Sequence, residues 1–156
     1  MPAKVYTLTQ ALEKLKSYCA YQERSHFEVE KKIHSLGFFY DDADAIVSVL
    51  IEENFLNEER FVDAFVSGKL RYKHWGKIKI TQHLKQHRVS SYILKNAFKN
   101  ITDEEYFSIL ELELSKKKSQ LDLETNFLKK KQKIYNYLLQ KGFSYQEISQ
   151  VFTEEI

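Results

Sequence analysis

The sequence predicts an all-α protein, as judged from its glycine and proline content and the spacing of its apolar residues. The 156 residues include only four glycines and one proline. The hairpins of a β-sheet depend on residues at positive φ, which glycine adopts most readily, so this composition leaves little room for hairpins. Apolar residues recur every three or four positions, as in Ala11, Leu15 and Cys19, and no run alternates apolar and polar residues. We therefore expect helices and no strands.

Local signals place about nine helices along the chain. Three potential capping boxes, each a Ser or Thr followed three residues later by Glu, begin at Ser25, Thr102 and Ser144. Gly37 and Gly142 stand where helices should end, and each precedes a phenylalanine that can contact the terminated helix. With the apolar spacing, these signals predict helices over residues 8–22, 26–36, 42–53, 58–74, 77–87, 91–99, 103–119, 124–141 and 145–153.

A repeat of about fifty residues organises these helices. Equivalent apolar positions recur at offsets of 51 and 54 residues, and one such set is Val29, Ile80 and Ile134. A position where each helix should stop recurs as well, occupied by Gly37, Arg88 and Gly142. A three-helix unit of this size cannot bury its apolar face alone, and stacked neighbours complete the core. We predict three tandem tri-helical, helix-turn-helix-like repeats, over residues 1–57, 58–101 and 102–156, in an elongated and curved molecule.

The charge is distributed unevenly, although the net charge is only +2. Residues 64–102 contain nine bases and no acid, whereas 39–63 and 103–115 are acidic. A segment that lacks carboxylates cannot form stabilising pairs of opposite charge along its own helices. We therefore expect a polyanion or an acidic partner surface to supply the negative charge. The alternative is that the two acidic stretches fold back and neutralise the segment. The basic run at 116–118 fits a helix end, a solvated stretch or a loop.

The basic segment is the candidate DNA-binding region. Gly76 permits a sharp turn that would bring backbone amides close to an anion. Tyr72, Trp75 and Tyr92 lie among the cationic residues and offer rings that can stack on the bases of single-stranded DNA, although a lone Trp is expected to be mostly buried. Because the contacts would be to phosphates, DNA binding should be electrostatic, weak in sequence preference and sensitive to salt. The predicted DNA-binding residues are Lys69, Arg71, Lys73, Lys77, Lys79, Lys85 and Arg88.

Signals for catalysis and for metal binding are weak. His83 and His87 have the spacing of helical metal ligands, but neither a following Glu nor a nearby Cys completes a site. No nucleophile elbow or phosphate-binding glycine loop occurs, and Cys19 lies on an apolar stripe. We expect a non-enzymatic protein without cofactor or metal. The absence of an apolar signal segment and the single cysteine favour a cytoplasmic location. No stretch approaches the ~18 consecutive apolar residues that a membrane-spanning helix needs, and we expect a monomer without a membrane contact.

Two segments carry a resemblance to a known family. The first unit contains Arg24-Ser25-x-x-Glu28-Val29 and ends its helix at Gly37-Phe38. The second contains Asn57-Glu-Glu-Arg-Phe-Val-Asp-Ala-Phe, a basic stretch, and Gly76-Lys-Ile-Lys-Ile. These motifs resemble the RecX family of regulatory proteins, over about residues 8–153 and most loosely in the third unit. Asn57-Glu58 replaces the paired Asp that is common in the family, and Arg88 replaces a usual Gly.

The resemblance implies a function that composition and spacing do not supply. Members of the RecX family bind the RecA recombinase and its nucleoprotein filament, and generally inhibit strand exchange and the ATPase activity of RecA in DNA repair, recombination and the SOS response. Contacts with DNA are also attributed to the family. Two other hypotheses remain open. One is a general DNA- or RNA-binding helical protein, including a transcription regulator, and the other is a helical protein–protein adaptor without nucleic-acid contacts.

Overall fold

The computed structural model describes residues 6–153, and within that range it contains helices and no strand. The all-α prediction is therefore confirmed. The repeat boundaries and the shape of the molecule stay predictions. The helices are α1 (Leu8–Tyr21), α2 (His26–Ser35), α3 (Tyr40–Glu52), α4 (Glu58–Arg71), α5 (Lys77–Gln86), α6 (Ser91–Lys95), α7 (Asp103–Gln120), α8 (Phe127–Lys141) and α9 (Tyr145–Val151).

The capping signals identify most helix starts correctly. Ser25 and Ser144 form complete capping boxes, and the Thr102 side chain accepts a hydrogen bond from the Glu105 amide. A further complete box joins Thr7 to Gln10 at the start of α1. The sequence prediction does not include this box because its third helical position carries Gln rather than Glu, although Gln forms the same hydrogen bond.

Several helix ends differ from the predicted ones for local reasons. Helix α4 stops at Arg71 rather than residue 74, and His74 has a positive φ of 56° that a right-handed helix does not accept. Helix α7 includes the whole basic run 116–118, which settles its status as helix. Helix α8 begins only after Asn126, whose side chain accepts a hydrogen bond from the Lys129 amide.

The three equivalent helix-stop positions share a left-handed backbone. Gly37 and Gly142 have φ angles of 90° and 104°, which glycine adopts without steric cost. Arg88 occupies the same region at 56°, although it carries a side chain. The alignment of Arg88 with the two glycines is thus confirmed at the level of backbone conformation.

The chain divides into two compact units. Of the described residues, the first unit contains 6–64 together with Leu84–Lys95, and the second contains Phe65–His83 together with 96–153. In the first unit, α1, α2 and α3 pack around a shared apolar core. Cys19 belongs to that core, as expected, and is 5% exposed. The core residues are Ala11, Leu15, Cys19, Val29, Ile33, Phe38, Ala43, Ile46, Leu50 and Leu56.

In the second unit, α7 packs against α8 and α9. Fully buried side chains of this unit include Tyr106 of α7, Ile134 of α8, and Phe143 in the connection between α8 and α9. The Tyr106 ring lies 5.5 Å from that of Phe143, and its hydroxyl donates to Glu147. Burial and the neighbouring Glu147 raise the pKa of Tyr106 well above its usual value. The buried phenol therefore stays protonated and acts as a hydrogen-bonding centre within an apolar core.

Candidate nucleic-acid interface

Five of the seven predicted DNA-binding residues belong to the second unit. They lie at the end of α4, in the connection that follows it, and in the first turn of α5. Lys73 is exposed, whereas Lys69, Lys77 and Lys79 are half-buried. Among the residues described, no carboxylate forms an ion pair with any of these four lysines. Their positive charge is available to an outside partner.

Trp75 organises two of these lysines. The Nζ atoms of Lys69 and Lys79 lie 4.8 and 4.4 Å from the centre of its ring, and the His83 ring lies 4.6 Å from it. The expectation that Trp75 is mostly buried is only partly met, since the side chain is half-buried. Ammonium groups over an indole ring are held by its negative face. The arrangement keeps two charges beside a partly accessible aromatic surface.

Arg71 differs from its neighbours because it already has a carboxylate partner. Its Nε and Nη2 donate to the two oxygens of Glu105 at 2.7 and 3.0 Å, and Nη1 donates to Ser67. The hydrogen bonds with Glu105 raise the pKa of Arg71, and the same pairing lowers that of Glu105. The acidic stretch 103–115 therefore folds back onto part of the basic segment. This agrees, at Arg71, with the alternative prediction that the acidic stretches neutralise that segment. Arg71 is the least suitable of the five for binding a phosphate.

A close approach of two glycines brings the α4–α5 connection against the end of α8. The Gly76 amide donates to the Lys141 carbonyl at 2.8 Å, and the Ile78 amide donates to the Gly142 carbonyl at 3.0 Å. A Cβ added at Gly76 would lie 2.3 Å from the Gly142 backbone, and one at Gly142 would lie 2.4 Å from Lys79 Cβ. Only glycine allows the two backbones to meet at this distance.

The same contacts correct the expected role of Gly76. The sequence suggested that the turn would offer backbone amides to an anion, but these amides have partners within the unit. In addition to the two bonds above, the Lys77 amide donates to the Tyr106 hydroxyl at 3.0 Å. Binding of phosphate at this turn is therefore left to side chains. The Lys77 ammonium lies 4.5 Å from the centre of the Tyr106 ring.

A buried carboxylate on α7 anchors the surrounding cations. Glu113 is only 2% exposed. His74 Nδ1 lies 2.7 Å from one of its oxygens, and the Tyr137 hydroxyl donates to the other at 2.5 Å. Burial alone would raise the pKa of Glu113, but the two hydrogen bonds and the nearby ammonium groups of Lys116 and Lys141 hold it below its usual value. Burial and the bond to Glu113 in turn raise the pKa of Tyr137 to about 12.

Lysines from three helices and a connection converge around this anchor. Lys141 Nζ donates to the Lys73 carbonyl at 2.7 Å and lies 3.8 Å from Glu113 Oε1. Burial lowers the pKa of Lys141; Glu113 opposes this, whereas Lys116, Lys79 and Lys73 lower the pKa further. The single buried carboxylate does not balance four ammonium groups. The surface above Glu113 therefore carries an excess of positive charge.

Sequence reasoning missed Lys116 and Lys141. Both lie outside the carboxylate-free segment, and Lys116 belongs to the basic run 116–118, which fits a helix end, a solvated stretch or a loop equally well by sequence. A usable signal existed at Lys141, since it directly precedes the helix-stop glycine at 142 and so had to lie at a helix end. The contact between that end and the α4–α5 connection depends on tertiary packing, which the repeat alone does not specify.

The last two predicted residues belong to the first unit. Lys85 is exposed, and the Arg88 guanidinium lies 4.5 Å from the centre of the Phe27 ring. His87 Nδ1, between them in sequence, lies 3.0 Å from the Ser25 hydroxyl. The histidine pair that suggested a metal site therefore has other contacts, His83 with Trp75 and His87 with Ser25. Within residues 6–153 no group of three or more possible ligands is placed to hold a metal ion.

Comparison with known proteins identifies the family. Two family models match, described as the second three-helix domain of RecX over residues 57–97 and the third three-helix domain of RecX over residues 103–152. Together they account for more than half of the chain. The chain belongs to the RecX family. The resemblance noted in the sequence is thereby confirmed, including the third unit, where its motifs were loosest.

Curated relatives carry the name "Regulatory protein RecX". One from Lactobacillus gasseri is 33% identical over 98 residues, which is 63% of this chain and 36% of that protein. One from Clostridium botulinum is 32% identical over 130 residues, covering 83% of this chain and 60% of that protein. The chain thus spans less than two thirds of the length of these RecX relatives.

A solved structure shares the fold. The crystal structure of RecX from Lactobacillus salivarius superimposes with a TM-score of 0.83 at 24% identity, covering 92% of this chain and 93% of that one. At this identity the likeness concerns the fold. Separately, no helix within the described part of this RecX-family chain is long and apolar enough to cross a membrane.

Proposed function

We propose that this chain is a regulatory protein that binds RecA and its nucleoprotein filament and inhibits the recombinase and ATPase activities of RecA. Its membership of the RecX family, with relatives named regulatory protein RecX, is the observation that carries the proposal. The proposed setting is DNA repair, recombination and the SOS response in the cytoplasm. No catalytic step by the chain itself is required.

The cationic surface of the second unit supports a contact with the nucleic acid of the filament. Lys69, Lys73 and Lys79 lack carboxylate partners among the described residues, and Trp75 offers a partly accessible ring beside Lys69 and Lys79. Side-chain ammonium groups bind phosphates irrespective of sequence. Such a contact releases counterions, so DNA affinity should fall steeply between 50 and 200 mM salt.

The direct experiment measures RecA-promoted ATP hydrolysis and strand exchange on single-stranded DNA as the chain is added. We expect both activities to decrease at amounts well below one chain per RecA. The double variant Lys73→Gln and Lys79→Gln should inhibit less, because it removes two of the unpaired charges. Lys31→Gln with Lys129→Gln is the matched control, since both residues are exposed, lie outside this surface and change the net charge equally.

Other outcomes would assign a different function. Loss of DNA affinity in the Lys73 and Lys79 variant with unchanged inhibition of RecA would separate the two contacts. Unchanged RecA activities at every ratio would refute the proposal. In that case, much tighter binding to one duplex than to random sequence would favour a transcription regulator. Absence of DNA binding even at low salt would favour a protein–protein adaptor.

A further inference from the structure

A cleft in the first unit combines aromatic and cationic side chains. It lies along α1 and α2, has a volume of about 570 Å³, and is lined by Lys14, Tyr18, Tyr21, Arg24 and Lys32, together with Glu13 and Ser17. None of these residues falls within the segments that match the two RecX domain models. None belongs to the basic segment either, so the cleft is independent of the interface described above.

The Arg24 side chain is held in place at the base of the cleft. Its Nε donates to the Tyr18 carbonyl at 2.9 Å, and its guanidinium lies 3.7 Å from the centre of the Tyr18 ring. The side chain is only 12% exposed. Its nearest carboxylate, Glu28, lies 3.8 Å from Nη1 and is shared with the Ser25 cap. The charge of this partly enclosed guanidinium is therefore only loosely matched.

Two lysines add positive charge to the lining of the cleft; the ammonium of one of them, Lys14, lies 4.9 Å from the centre of the Tyr6 ring. Lys32 Nζ lies 5.6 Å from the centre of the Tyr18 ring, and Lys14 also lines the cleft. The one acidic residue of the lining, Glu13, is 70% exposed and lies 3.9 Å from Lys16 Nζ, outside the lining. Three cations exceed the two nearby carboxylates, the outward Glu13 and the Glu28 beside Arg24, so the cleft keeps a net positive charge that favours an anion.

The tyrosines indicate what the anion is attached to. Tyr21 is 83% exposed and its ring lies 5.9 Å from the Arg24 guanidinium, so one accessible aromatic face adjoins the cationic base of the cleft. Exposed tyrosine beside arginine and lysine matches a flat aromatic group that stacks and a phosphate that pairs with the cations. An acidic peptide would use the cations alone and leave the exposed ring without a function.

We infer that this cleft binds a nucleotide unit, with the base stacked on Tyr21 and the phosphate held by Arg24, Lys32 and Lys14. The unit is either a free nucleotide or one residue of a single strand, since both present the same chemistry. The site goes beyond the proposed function because it requires no RecA.

The test uses the full ¹⁵N-labelled chain and follows backbone amide signals residue by residue. The probes are deoxythymidine 5′-monophosphate, a ten-residue oligo(dT), inorganic phosphate and a ten-residue oligo(Asp). We expect the mononucleotide or the oligo(dT) to shift signals of residues 14–32 in a saturable manner. A response mainly to the mononucleotide assigns the source as a free nucleotide. A response at much lower concentration of oligo(dT) assigns it as a single strand.

Two variants make the result specific. Tyr21→Ala should weaken nucleotide affinity about tenfold, because it removes the stacking surface. Tyr40→Ala is the matched control, since Tyr40 is equally exposed, at 87%, and lies outside the cleft in the same unit. The inference is overturned if Tyr21→Ala binds like the wild type, if phosphate alone shifts the signals as strongly, or if no probe shifts them. Equal shifts with oligo(Asp) would overturn it in favour of an acidic protein partner.

The two proposals fail separately. Inhibition of RecA by a chain whose cleft signals do not move would reject the nucleotide site and leave the proposed function intact. Shifts of the cleft signals without any effect on RecA would reject the proposed function and leave the nucleotide site intact.

Discussion

The contact between Gly76 and Gly142 supports a sharp prediction about stability. In Gly76→Ala the new methyl group would lie 2.3 Å from the Gly142 carbonyl carbon and oxygen and 2.4 Å from the Phe143 nitrogen. These are backbone atoms, so the two elements must move apart. Overpacking of this kind costs about 1–3 kcal/mol, and weakening the bonds at 2.8 and 3.0 Å costs about 0.5–1.5 kcal/mol each. We expect the free energy of unfolding to fall by about 3 kcal/mol.

Urea denaturation followed by tryptophan fluorescence measures this loss, because Trp75 is the only tryptophan and adjoins Gly76 in sequence. The matched control is Gly68→Ala. Gly68 lies inside α4, and a Cβ there meets nothing within 4 Å. Alanine is favoured over glycine within a helix, so this variant should gain about 0.5–1 kcal/mol. The two substitutions should therefore have opposite signs. A Gly76→Ala protein as stable as the wild type, or as stable as the control, would refute the close approach.

Three further predictions concern individual side chains. Ser25→Ala should lower the free energy of unfolding by about 1–2 kcal/mol, because it removes the buried cap of α2; urea denaturation with an unchanged midpoint would contradict this. Arg88→Gly should be more stable than Arg88→Ala by about 1 kcal/mol, since both lose the Phe27 contact and only glycine relieves the positive φ; the reverse order in the same assay would argue against it. Folding lowers the pKa of Glu113, so its carboxylate stabilises the protein above the unfolded pKa of about 4.5, and this is lost as the pH falls through the folded value. The thermal midpoints of wild type and Glu113→Gln should therefore converge below about pH 4.5, and a gap that is constant with pH would count against the network.

The helices were predictable because their signals are local. A capping residue at Ser25 or Ser144, or a glycine at 142, acts within one turn of its own helix, so sequence spacing is sufficient. Helix α4 was predicted three residues too long because the stop is a histidine at positive φ, and His74 carries no compositional mark of a helix end. At such positions tertiary contacts override the local conformational preference of the residue.

The candidate interface was predictable only in part. The lack of acids over 64–102 correctly singled out a cationic region, because charge composition needs no structure. Whether a carboxylate pairs with a given base depends on tertiary structure, which composition does not show. Glu105 pairs with Arg71, whereas Lys73 forms no ion pair with a carboxylate among the described residues. Lys141 joins the surface through a contact 68 residues away in sequence, and no local pattern encodes that distance.

Co-sedimentation with RecA filaments tests the central claim most directly. The chain is mixed with RecA, with and without single-stranded DNA and a nucleotide that supports filament formation, and the pelleted fraction is measured. The account predicts that the chain pellets with RecA filaments on DNA in a saturable manner, and that the Lys73 and Lys79 double variant pellets less than the Lys31 and Lys129 control. A chain that remains in the supernatant with RecA filaments at every ratio would contradict it.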